Sequence, residues 1–124
     1  SMSKIYVIEK QSNLNDESQN LERKMSHIGA YTSFEMAKKA FQIYAIYMLN
    51  KTYSWQYGFD KLETWEDVEN LIEEYEDSNE FQILFFSHNQ NWKLGINNDG
   101  PAHGFETELN IFTYELNKMP EPES

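Results

Sequence analysis

Hydrophobic spacing along this chain runs first at two residues, then at three and four, then at two again, and that ordering restricts the fold more than any single motif. The stretches from Lys4 to Lys10 and from Arg23 to Tyr31 hold the β-branched and aromatic residues of strands, with Gly29 marking a bulge in the second. Phe34, Ala37, Phe41, Tyr44, Ala45 and Met48 then recur at helical spacing to about Asn50. Thr32 to Glu35 reads as a capping box: the Thr32 hydroxyl accepts from an early helix N–H, and Glu35 reaches back. A second capping signal, Thr64 to Asp67, opens a helix expected to reach Asp77, with Trp65, Val68, Leu71, Ile72 and Tyr75 on its inner side. Phe81 to Phe86 reads as a central strand, apolar on both faces. Trp92 to Ile96 returns as a hairpin after a turn over 87–91, and Leu109 to Leu116 closes the chain as the last strand. The order β-β-α-α-β-β-β predicts an α+β fold: a mainly antiparallel sheet of about five strands with two helices packed on one face.

A chain of 124 residues fits a single domain, 1–124. Aromatic residues make up 15% of it, which supplies a bulky core and argues against disorder. Residues 1–3 are expected as a disordered start, 11–22 as a mobile loop and 119–124 as a frayed, proline-containing tail. Between the helices, Tyr53, Trp55, Tyr57 and Phe59 occupy alternate positions, as in an extended connector, with Gly58 as its turn residue. There is no cysteine, hence no disulfide and no thiolate metal site. No run approaches the ~18 apolar residues of a membrane helix. These features predict a cytoplasmic protein with no membrane partner. Abundant Asn, Lys, Ile and Tyr suit an AT-rich genome such as that of many phages or low-GC bacteria; a phage product would act in host cytoplasm.

The opening strand through Ile5 and Ile8, followed by Gly29, Tyr31, Ser33, Glu35 and Ala37, resembles a pattern in small uncharacterised phage and bacterial proteins. In those, a strand runs into G-x-Y/F-x-S-x-E-x-A at a helix start. The segment from Tyr114 to Leu116 is similar to a closing strand of that group. The resemblance implies the fold and no activity.

Patterns that carry chemistry are sparse. His27, His88 and His103 share no metal-binding spacing, and a site made of His88 or His103 with Asp99 has no motif behind it. Gly95, Gly100 and Gly104 are too widely spaced for a phosphate loop. Asn97 to Gly100 looks like a calcium loop only superficially, because Glu106 would have to serve as its bidentate ligand and no helix follows. Ser26 and His27 are chain neighbours, which makes no triad. No metal, no cofactor and no enzymatic activity are expected.

Residues 60–80 contain ten of the 21 acidic residues and one lysine, a balance of −9 within a net charge of −11. On a helix, Glu66, Glu69, Glu73, Glu76 and Asp77 form a ridge away from the apolar stripe. Glu69/Glu73 and Glu73/Asp77 are like-charge i,i+4 pairs, each unfavourable by a few tenths of a kcal/mol. The span from Thr64 to Asp77, about 21 Å as a helix, carries roughly half the axial charge density of duplex DNA. Such a surface disfavours direct nucleic-acid contact, with Arg23-Lys24 and Lys38-Lys39 as the local basic exceptions, and suits a basic protein surface, including that of a nucleic-acid-binding protein. The leading expectation is a small non-enzymatic binding protein, an inhibitor or immunity-type factor, docking through Glu66, Glu69, Glu73, Glu76 and Asp77. One alternative is a small-ligand module with an aromatic pocket of Trp55, Tyr57, Trp92 and His103. Another is a homo-oligomer joined through an apolar sheet face.

Overall fold

The computed structural model describes residues 3–13, 23–97 and 105–122. Five strands form one antiparallel sheet: β1 (Lys4–Asn13), β2 (Arg23–Tyr31), β3 (Gln82–His88), β4 (Asn91–Asn97) and β5 (Thr107–Glu115). Between β2 and β3 lie helix α1 (Phe34–Thr52), a single turn α2 (Ser54–Tyr57) and helix α3 (Trp65–Tyr75). The architecture is α+β with an open sheet. Its strand order, β2-β1-β5-β4-β3, places the last strand beside the first.

Alternation sends one set of strand residues towards the helices. Tyr6, Ile8, Ile83, Leu94, Ile96, Leu109 and Ile111 form that buried layer. It meets Ala37, Phe41, Ala45, Met48 and Leu49 of α1 and Val68 and Leu71 of α3. Rings fill the interface. Phe41 packs edge-on to Trp92 at 5.4 Å between centroids, and Trp65 stacks on Trp92 at 6.2 Å. A second group gathers on Phe81, where Tyr57 stacks at 3.8 Å and Tyr75 packs edge-on at 5.2 Å.

Several expectations change in detail. The cap of α1 is Ser33, whose hydroxyl accepts from the Met36 N–H at 3.4 Å. Thr32 lies one residue outside, and Glu35 pairs with Lys38 on the same helix. β1 extends to Asn13, into the stretch expected to be loop, because its end pairs with Arg23 to Met25 of β2. The bulge falls between Ile8 and Glu9, where Ile28 is the extra residue beside Gly29. α3 stops at Tyr75, so Glu76 caps it and Asp77 lies beyond.

Two differences have wider consequences. The aromatic connector is not extended: Ser54–Tyr57 makes a helical turn that Gly58 closes in the left-handed region, at φ 76°. Alternate residues therefore point in different directions. β3, expected to be central, is an edge strand. β5 pairs on one side with β4 and on the other with β1, leaving β3 at the border. The apolar outer side of β3 is explained by Phe105, whose ring lies 6.3 Å from that of Phe86 on the sheet face that carries no helix.

Candidate functional site

The acidic ridge stands on a well-defined helix. The Asp67 carboxylate accepts from the N–H groups of Glu63 at 2.8 Å and Thr64 at 3.0 Å, while the Thr64 hydroxyl accepts from the Asp67 N–H at 3.2 Å. This completes the capping box read from the sequence. The Glu63 and Thr64 amides hold the Asp67 carboxyl below its ordinary range. Asp67 is thereby a structural acid, set apart from the rest.

Glu66, Glu69 and Glu73 project from α3, Glu76 is its cap residue and Asp77 follows. All five are exposed, and among the described residues none is in an ion pair. No base stands in the last turn, so the C-terminal end of the helix dipole meets like charge. The structure thus keeps the sequence-predicted ridge together, with three members on the helix and two just past it. What the ridge can do chemically is attract cations; nothing in it separates the two carboxylate environments that acid–base catalysis requires.

The proposed aromatic pocket is dispersed by the fold. Trp55 is 80% exposed on the far side of α2. Tyr57 is packed on Phe81. Trp92 lies in the layer between sheet and helices, among Phe34, Phe41, Trp65 and Phe85. His103 is outside the described residues, as is Asp99. The helical turn of α2 is the reason: it rotates Trp55 away from Tyr53 and Tyr57.

A different concavity lies on the helix-free sheet face. It has a volume of about 420 Å3 and is walled by Phe86, Phe105 and Phe112, with His88, Lys93 and Asn110 among its polar lining. Of the sequence-predicted pocket residues that are described, Trp92 alone lines it; its other lining residues come from β3, β4, β5 and the segment before β5, and only the strand order brings them together. Gly95 is a further condition. A Cβ there would lie 2.5 Å from the Phe105 ring, so only glycine leaves room for that wall.

The same face carries a polar row across the strands. His27, Glu9, Asn110 and Lys93 are successive cross-strand partners on β2, β1, β5 and β4. Glu9, nearly buried, faces His27 with Oε1 3.2 Å from Nδ1. In the adjoining row Glu108 is shared by Arg23 at 3.5 Å and Lys93 at 3.8 Å. Among the described residues no three His, Asp or Glu side chains converge as metal ligands, and no helix is long and apolar enough to cross a membrane.

No family model, curated protein or solved structure matches this chain.

Proposed function

We propose that this is a small non-enzymatic binding protein, an inhibitor or immunity-type factor of phage origin, working in the cytoplasm by docking its acidic α3 ridge on a basic partner protein. The observation that supports this reading is the exposed row of Glu66, Glu69, Glu73, Glu76 and Asp77 on a capped, firmly packed helix. A rigid platform presents these charges at fixed spacing, so little ordering entropy opposes association. Their clustering works against the helix itself, through like-charge neighbours and acids at the negative dipole end. A surface selected for solubility alone would interleave lysines. Charge complementarity speeds encounter and excludes acidic competitors, and both effects weaken with salt.

The test is capture of the partner at low and high salt, with identification by mass spectrometry and affinity measurement on the purified pair. A basic protein should bind in a salt-sensitive way. Reversing Glu69, Glu73 and Glu76 to lysine should weaken it at least about 100-fold, since facing like charges cost several kcal/mol. Reversal of Glu115, which pairs with Lys118 at the end of β5 and is no part of α3, should leave binding unchanged. A partner indifferent to salt and to the triple reversal would sink the proposal.

A further inference from the structure

The helix-free sheet face holds an unanswered hydrogen-bond donor. Asn110 is 2% exposed, and its Nδ2 is buried with no partner. Such a group costs the folded state its full desolvation, so native proteins seldom leave one unpaired. Asn110 also lines the cleft bounded by Phe86, Phe105 and Phe112.

Its neighbour across β4 is Lys93, which lines the same cleft. The Lys93 ammonium is weakly held, 3.8 Å from a Glu108 carboxylate that also faces Arg23 at 3.5 Å. Two cations share one acid there. Glu9, on the other side of Asn110, faces His27. One end of the cleft therefore lies against a buried, unpaired amide N–H and an incompletely neutralised ammonium, and the rest offers aromatic carbon.

We propose that this cleft binds a small organic monocarboxylate with an aromatic or branched apolar body, its carboxylate meeting Asn110 Nδ2 and Lys93 Nζ and its body lying among the three phenylalanine rings. A volume of about 420 Å3 is within the range of small-molecule sites. The chemistry selects against phosphate, whose dianion needs several convergent donors. It also selects against a wholly apolar ligand, which would leave the Asn110 donor unanswered. The site is separate from the α3 ridge, which lies on the opposite side of the sheet, so either can fail without the other.

The experiment is titration of 15N-labelled protein with phenylacetate, indole-3-acetate and 4-methylpentanoate, following the Asn110 side-chain amide and the backbone signals of Lys93, Phe105 and Phe112. Phenylacetamide and acetate serve as controls lacking the charge or the body. At least one of the three acids should bind saturably with Kd of about 1 mM or tighter. It should bind about tenfold more tightly than either control, and Asn110→Asp and Lys93→Gln should each weaken it by about tenfold or more. Lys93 is a surface residue, so its variant decides the matter should Asn110→Asp misfold. Absence of saturable shifts for all three acids up to about 10 mM, or equal affinity in Lys93→Gln, overturns the proposal. Shifts confined to other surfaces do the same.

Discussion

Asn50 and Tyr53 close the C-terminal end of α1, each through polar contacts outside the helix. The Asn50 side chain both donates to the Leu62 carbonyl and accepts from its N–H, at 2.8 Å each, which clamps the connector against the helix. Tyr53 is buried, and its hydroxyl bonds that of Thr107 at 2.9 Å across the core. Burial pushes the Tyr53 phenol up to about 12 from an ordinary 10.0. Above pH 10 the unfolded phenol loses its proton while the folded one keeps it, so the folded state binds more protons and stability falls as pH rises from 10 towards 12. The loss amounts to about 2–3 kcal/mol over that window. Urea unfolding from about pH 9 to about pH 11.5 should show this fall, and Tyr53→Phe should lack that share of it. A parallel pH profile in the two proteins would contradict the assignment. Sequence spacing placed Tyr53 in an aromatic connector. Its partner Thr107 lies far along the chain, and nothing local announces that pair.

Helix α3 shows which parts of an element can be read from neighbours in sequence. Its capping box and apolar stripe depend on residues within one or two turns, and both appear as expected: Val68 and Leu71 are buried, and Asp67 holds the Glu63 and Thr64 amides. The outer ridge is equally local, and its energetics permit stability and binding to be separated. Glu73→Lys replaces a like-charge pair with a Glu69–Lys pair in the favourable i,i+4 orientation. It should raise stability by about 0.5 kcal/mol at low salt while weakening the proposed partner. Thermal unfolding in parallel with binding checks both directions, and a fall in stability would show that the ridge charges are already compensated. The connector before α3 misled for a reason of the same scale. Alternating aromatics look extended, yet Gly58 permits a left-handed closure that lets the turn Ser54–Tyr57 form.

Across the molecule, the sheet order decides what faces what. β5 pairs with β1, which brings the two ends of the described chain together and moves β3 to the border. The helices then cover one face, and Phe105 folds over Gly95 on the other. Gly95→Ala should displace that ring and cost about 1–3 kcal/mol in denaturant unfolding. Shortening the wall with Phe105→Ala should remove most of the extra penalty, a coupling that a double-mutant cycle measures. Additive effects would mean that Phe105 does not press on Gly95. The cleft beside this contact had no signature along the chain because Phe86, Lys93, Phe105 and Asn110 belong to separate stretches, and none stands out alone. By itself, the sequence determined the period of the strands and of the two long helices, the capping box of α3, the acidic ridge and the α+β class, since all of these follow from interactions within a few residues. Only the tertiary structure decided the edge position of β3, the packing of Trp92 between sheet and helices, and the placing of Asn110 beside Lys93 in the cleft. Those depend on which strands pair, and pairing is set by the collective burial of residues distant in the chain.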